Sequence, residues 1–189
     1  LFRFDYSSET LNFVDGKLGT PGQVNAVSWS PDGQYVVVGG NGLISGNDLQ
    51  LFRFDYSSET LIFKDGKLGT PVQVNAVSWS PDGRYVAVGG GGTIGSELQL
   101  FRFDPSLETL SLTDELDLKP SSGGVVNAVS WSPDGQYVVV GGGSLLPSDI
   151  QLYRFEASLE MLSYTTGQDI FPTTINAVSW SPDGQYIVG

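Results

Sequence analysis

The chain has 189 residues, 40% hydrophobic, with 25 glycines, 10 prolines, no cysteine and no histidine. The two absences exclude disulfide scaffolding, thiol chemistry, Ser-His-Asp catalysis and histidine-based zinc sites. Nine basic against 21 acidic residues give a net charge of −12, so nucleic acid has no positive face to meet.

The chain opens on Leu1-Phe2-Arg3-Phe4-Asp5, followed by a polar turn and a second short run at 10–13. The next run, Val24-Asn25-Ala26-Val27-Ser28-Trp29-Ser30, sets Val27 and Trp29 against Ala26 and Ser28 at a period of two, the pattern of a strand. Ser30-Pro31-Asp32-Gly33 reads as a type I turn, with proline presetting φ at the second position and glycine closing the fourth. Tyr35-Val36-Val37-Val38 is apolar without alternation, as in a strand buried on both faces, and Gly39-Gly40 is expected to stop it. A third run covers 49–55, and a fourth covers 60–63 after Tyr56-Ser57-Ser58-Glu59. No stretch keeps a 3.6-residue apolar period, and no apolar run approaches the ~20 residues of a membrane helix. No signal peptide is visible, and the compartment is left open because Leu1 is not a methionine.

These runs repeat. The segment 24–33 returns at 74–83, 126–135 and, with Ile175 for the first valine, 175–184; Trp29, Trp79, Trp131 and Trp180 are spaced by 50, 52 and 49 residues. Leu1-Phe2-Arg3-Phe4-Asp5 returns at 51–55 and 100–104, and again as Leu152-Tyr153-Arg154-Phe155-Glu156. Four strands per period of this length is the pattern of a propeller blade. The fold class expected is therefore all-β, a β-propeller of four-stranded antiparallel blades with about four blades per chain.

Val-x-x-Val-x-Trp-Ser-Pro-Asp-Gly, an apolar strand ending in Gly-Gly, and an aromatic-Asp strand end together resemble the WD40 repeat family across the whole chain. The family's Gly-His pair is missing, and Phe4-Asp5, Phe54-Asp55, Phe103-Asp104 and Phe155-Glu156 stand in place of Trp-Asp. The family's histidine-centred hydrogen-bond network is therefore unavailable to this chain. TolB-type propellers share the Trp-Ser-Pro-Asp-Gly turn and are the second resemblance. With the family's strand labels a to d, whole blades fall at 24–63, 74–112 and 126–164. A c–d half-blade falls at 1–13 and an a–b half-blade at 175–189. Open strand edges invite pairing, so the halves are expected to combine. Two copies exchanging them would form a homodimer with one eight-bladed ring, strands 175–181 and 185–188 of one beside 1–5 and 10–13 of the other.

In such blades the a–b and c–d turns share one end, and the b–c and d–a loops share the other. The loop end carries nearly all the length variation, at 41–48, 91–97 and 143–149 for b–c and 15–22, 113–124 and 165–174 for d–a. Recognition usually resides in differing loops on a rigid scaffold. The candidate partner-binding residues are Leu43, Ile44, Asn47, Thr93, Ile94, Leu145 and Leu146 of the b–c loops, with Lys17, Lys67, Asp114, Glu115, Asp117, Lys119 and Phe171 of the d–a connections. Unconstrained drift is the alternative, because residues 1–40 and 51–90 differ at only five places.

Other constellations point to structure. Gly90-x-Gly92-x-x-Gly95 has the letters of a dinucleotide fingerprint but precedes a strand, not the helix whose N-terminus would receive the phosphates. Asp114, Glu115 and Asp117 lack the order of a calcium loop, so no metal and no cofactor is expected. Asp32, Asp82, Asp134 and Asp183 occupy turns, where an aspartate caps local backbone. Arg3, Arg53, Arg102 and Arg154 are expected to pair with Asp5, Asp55, Asp104 and Glu156, or with a neighbouring blade. Asn25, Asn75, Asn127 and Asn176 are expected to be hydrogen-bonded on the innermost strand, and the tryptophans to wedge between blades. The function expected is a non-catalytic scaffold binding a protein or peptide, with no nucleic-acid or membrane partner. The alternatives are a carbohydrate-binding or hydrolytic propeller, and a repeat-amplification product or fragment without a function of its own.

Overall fold

The computed structural model describes residues 1–16, 22–41, 47–67, 73–91, 96–118, 124–143, 148–170 and 174–189. The described residues hold strands and turns with no helix, so none is long and apolar enough to cross a membrane. Strands β1 (Phe2–Asp5) and β2 (Thr10–Phe13) pair alone. Three four-stranded antiparallel sheets follow. The first is β3 (Gln23–Trp29), β4 (Tyr35–Asn41), β5 (Leu49–Asp55) and β6 (Thr60–Lys67). The second is β7 (Gln73–Trp79), β8 (Tyr85–Gly91), β9 (Leu98–Asp104) and β10 (Thr109–Leu116). The third is β11 (Val126–Trp131), β12 (Tyr137–Gly142), β13 (Ile150–Glu156) and β14 (Met161–Gln168). A last pair, β15 (Ser179–Trp180) and β16 (Ile187–Val188), is shorter than the sequence suggests.

Successive sheets stack face to face. The first strands β3 and β7, and β7 and β11, lie close together, whereas the last strands β6, β10 and β14 barely touch. The sheets therefore fan outward from a line of inner strands. One core joins Tyr35, Val37, Leu49 and Leu51 of the first sheet to Val74, Trp79, Val86 and Phe103 of the second. Another joins Tyr85, Ala87, Leu98 and Leu100 to Val126, Trp131, Val138 and Tyr153. Thus strand b is buried on both faces, as its unbroken apolar run implies.

The glycine pair does not stop strand b. β4, β8 and β12 run through it to Asn41, Gly91 and Gly142. Glycine stands there because the next sheet presses in: a Cβ at Gly39 would meet Val74 Cγ1 at 2.3 Å, and one at Gly89 would meet Val126 Cγ1 at 2.3 Å. Strand a bends at the same level, its register shifting between Val24 and Ala26, Val74 and Ala76, and Val126 and Ala128. The residue in each bulge is the repeated asparagine. Its side chain ties one inner strand to the next: Asn25 Nδ2 donates to Val74 O at 2.9 Å, Asn75 Nδ2 to Val126 O at 3.1 Å, and Asn127 Nδ2 to Ile175 O at 3.3 Å. The structural reading holds for these three amides; Asn176 precedes β15 and is not on a strand, and its Oδ1 accepts from Asn127 Nδ2 at 3.3 Å.

The tryptophan reading holds for the two inner junctions and needs correction at the first. Trp79 and Trp131 are each 6% exposed and meet Phe103 and Phe155 edge-on at 5.3 and 5.2 Å. Trp29 meets Phe54 in the same way but is 44% exposed, because β1–β2 supplies only the outer half of the sheet that would cover it.

Candidate functional site

The two ends of the sheets are built differently. At the turn end, Gly33 N donates to Ser30 O at 2.9 Å, and Asp32 Oδ1 accepts from Ser30 Oγ at 2.5 Å and Gln34 N at 3.0 Å. The same serine–aspartate bond recurs at Ser80–Asp82, Ser132–Asp134 and Ser181–Asp183. These aspartates cap local backbone, as the turn sequence implies. The c–d turns carry a second repeated device, in which Asp5, Asp55 and Asp104 accept from the serine two residues on, both Oγ and backbone N–H. The glutamate that ends each turn then takes a left-handed φ, 54° at Glu9, 53° at Glu59 and Glu108 and 52° at Glu160. Such a conformation is uncommon for a residue with a Cβ.

Three of these glutamates reach back to the preceding sheet. Glu59 meets Arg3 at 2.9 Å; Glu108 meets Tyr35 Oη at 3.1 Å, Arg53 at 3.4 Å and Lys64; Glu160 meets Tyr85 Oη at 3.0 Å and Arg102 at 3.2 Å. Of the two partners expected for the arginines, the neighbouring blade is therefore the one used. Arg154 alone keeps the acid of its own strand, Glu156, at 3.5 Å. Exposed pairs of this kind contribute about 0–1 kcal/mol each, so their effect is mainly to fix blade against blade.

The serine donors hold the Asp5 and Asp55 carboxyls down at about 2, and they lower Asp104 in the same way. A depressed carboxyl stabilises the fold above its unfolded value of 3.8, and that contribution is lost as pH falls through about 2. An NMR titration of Asp55 is expected to find a midpoint near 2, and Ser57→Ala should move it up toward 3.8. A midpoint already near 3.8 in the unaltered chain would contradict the turn geometry.

One feature of this end departs from the repeat. Tyr6 and Tyr56 lie edge-on against Phe4 and Phe54 at 4.7 and 4.6 Å, and Tyr56 Oη donates to Gly33 O at 3.0 Å. Pro105 and Ala157 occupy the equivalent positions and cannot span that gap. Beside Pro105 opens a cavity of about 780 Å³, lined by Tyr35, Phe103, Tyr85, Arg84, Asp32 and Glu160 among others. Arg84 replaces the glutamine of the other repeats, Gln34, Gln136 and Gln185. The sequence shows both substitutions, but neither is conspicuous until the missing tyrosine ring is seen to leave space.

At the loop end, Leu43, Ile44, Lys17, Thr93, Ile94, Lys119, Leu145, Leu146 and Phe171 lie outside the described residues. The remaining candidates are not all loop residues. Strand d continues past its fourth residue because it bulges at Lys64, Thr113 and Thr165. Lys67, Asp114 and Glu115 therefore sit on strands, and Asp117 follows β10 directly. Lys67 pairs with Asp65 at 2.9 Å, and Asn47 packs over Gly66. Asp114 is turned toward the next sheet, where its Oδ2 accepts from Leu162 N at 2.7 Å; Asp15 and Asp65 do the same to Leu61 N and Leu110 N. Glu115 and Asp117 remain exposed. Among the described residues no cluster of acids is placed to hold a metal. Sequence reading also missed Glu97 and Asp149, buried acids at this end that accept from Leu118 N at 2.9 Å and Ile170 N at 2.7 Å.

Fanned four-stranded antiparallel sheets, stacked about a line of inner strands, are consecutive blades of a β-propeller. The family described as WD domain, G-beta repeat matches at residues 12–45, 65–95, 115–145 and 165–189. The chain belongs to this WD40 family. No curated protein matches the chain. Among solved structures, a chain of the mitotic checkpoint complex is similar at 22% identity and a TM-score of 0.65, with 87% of this chain and 45% of that one covered. The periplasmic gluconolactonase of Pseudomonas aeruginosa is similar at 19% identity and a TM-score of 0.75, with 98% and 55% covered. A Bacteroides uniformis protein assigned as a 6-phosphogluconolactonase gives 17% identity and 0.74, with 98% and 55% covered. At these identities the likeness is one of fold, and the chain spans about half the length of each.

Proposed function

We propose that the chain is a non-catalytic interaction scaffold whose b–c and d–a loop end binds a protein or peptide. The observation that supports this most is the contrast between the ends. Nearly the same turn bonds recur from blade to blade at one end, while the connections whose sequences differ in length join strand b to c and strand d to the next strand a. Rigid blades with divergent loops are the arrangement recognition surfaces use. Its partners are a protein or peptide and a second copy of the chain, the two copies closing an eight-bladed ring. Pull-down with all long loops exchanged between repeats tests the reading. Binding is expected to be lost, and binding retained through such an exchange removes the loop end from consideration.

A second reading rests on the turn-end cavity, where Tyr35, Phe103 and Tyr85 gather with Asp32 and Glu160. Aromatic faces beside carboxylates suit a carbohydrate or sugar lactone, bound or hydrolysed. Titration with saccharides and sugar lactones separates the readings: Arg84→Gln weakens saccharide binding under the second and leaves partner binding intact under the first.

A further inference from the structure

At the turn end, the second and third blades depart from the repeat in a way the fold itself does not use. The c–d turns at 6–9 and 56–59 read Tyr-Ser-Ser-Glu, whereas those at 105–108 and 157–160 read Pro-Ser-Leu-Glu and Ala-Ser-Leu-Glu. The serine that leucine replaces has a partner: Ser8 Oγ and Ser58 Oγ each lie 2.8 Å from the hydroxyl of Thr10 and Thr60. Leu107 and Leu159 give up that bond and are 70% and 68% exposed. The turns hold without them, since Ser106 Oγ still donates to Asp104 and Leu159 N donates to Glu156 O at 3.0 Å. In the third blade Met161, 36% exposed, also replaces the threonine, so both members of the touching pair become apolar. Apolar side chains set in water in place of a hydrogen-bonded pair stabilise nothing inside the chain. They suit a surface that a partner covers.

The same end carries a cation with no counterpart. Among the described residues Arg84 is the one basic side chain without a carboxylate partner. The acids that share its cavity of about 780 Å³ are already engaged. Asp82 Oδ1 accepts from Ser80 Oγ and Arg84 N, Asp32 Oδ1 from Ser30 Oγ and Gln34 N, and Glu160 from Tyr85 Oη and Arg102. The guanidinium is therefore open to a carboxylate from outside, which its planar fork can hold by two hydrogen bonds. Pro105 and Glu160 line the same cavity and neighbour Leu107 and Leu159 in the chain, so cation and leucines belong to one surface.

We propose that the turn end of the second and third blades docks an extended segment of another protein. An aspartate or glutamate of that segment pairs with Arg84, and its apolar side chains cover Leu107, and Leu159 with Met161. The inference goes beyond the loop-end reading and does not depend on it. A net charge of −12 repels a strongly acidic segment at long range, so the surface favours a single carboxylate set among apolar residues. The leucines favour a peptide over a saccharide, which has no apolar side chains to set on them.

Random peptides displayed on phage are the probe. Selection on the full chain should enrich sequences with one aspartate or glutamate among leucine, methionine or phenylalanine. A synthetic copy of the enriched peptide, followed by fluorescence anisotropy, should bind Arg84→Gln at least about tenfold more weakly, the effect of losing a charge-assisted hydrogen bond. Leu107→Ser/Leu159→Ser should weaken it too. Each substitution restores a residue that other repeats of the chain carry, Gln34 or Ser58 for example, so the blades keep their fold. Exchange of the long loops should leave the peptide bound, which separates a failure here from a failure of the loop-end reading. The proposal is overturned if no sequence is enriched, if Arg84→Gln binds the peptide as tightly as the unaltered chain, or if loop exchange abolishes binding. Saccharide binding that Arg84→Gln removes, with no peptide enriched, assigns the cavity to a sugar instead.

Discussion

Trp79→Ala is expected to cost about 3–5 kcal/mol of folding free energy, the range for removing a large aromatic from a packed interior. The ring is 6% exposed and lies edge-on to Phe103 at 5.3 Å, while Tyr35 of the preceding sheet meets the same Phe103 at 4.7 Å. Three aromatic groups from two blades thus close one junction, with Phe103 between the other two, and removing Trp79 leaves one side of Phe103 facing a void. Collapse into it is resisted because Tyr35, packed on the far side of Phe103, is held by its hydroxyl on Glu108, and the Phe103 backbone is fixed by the bond from its N–H to Arg84 O. Chemical denaturation of the variant against the unaltered chain measures the loss. A cost below about 1 kcal/mol would mean that the ring fills no irreplaceable space. Trp29→Ala supplies the contrast, since Trp29 is 44% exposed and should cost much less.

The repeat makes the blades legible in the sequence itself. Ser-Pro-Asp-Gly states its own turn chemistry, and four runs between successive copies can be counted. Three kinds of information were hidden. The pair Gly39-Gly40 reads as a strand stop, since a sequence does not distinguish a glycine that ends pairing from one that admits a neighbouring side chain. The outer strand reads as ending at Phe63 because the bulge at Lys64 breaks the alternation by which a strand is recognised. With the equivalent bulge at Thr113, it puts Lys67, Asp114 and Glu115 on strands, and Asp114, a candidate partner-binding residue of the loop, clamps Leu162 N instead. Partner choice was hidden too. Arg53 lies two residues from Asp55 in sequence, yet Asp55 is taken by Ser57 and Arg53 crosses to Glu108. The competition is settled by turn geometry: the Asx turn uses the aspartate first, and the left-handed glutamate of the next blade is what remains.

Gly89→Ala is expected to destabilise the fold at the upper end of the roughly 1–3 kcal/mol range for overpacking, although it adds a single methyl group. An ideal Cβ there would sit 2.3 Å from Val126 Cγ1 and 2.8 Å from Val129 Cγ1, both on the strand that opens the next blade. Real Cβ atoms do not approach so closely, so something must move. Val126 is fully buried, and its strand is tied to β7 by the bond from Asn75 Nδ2 to Val126 O at 3.1 Å. Relief therefore requires the second and third sheets to part along the inner line, where the blades are closest. Backbone strain is not the cause, because the positive-φ glycines are Gly33, Gly83, Gly135 and Gly184. A double-mutant cycle isolates the clash. Val126→Ala removes the methyl group in the way, so Gly89→Ala/Val126→Ala should be less destabilised than the sum of the single changes by about 1 kcal/mol or more. Additive losses in that cycle would show that the glycine serves something other than the approach of Val126.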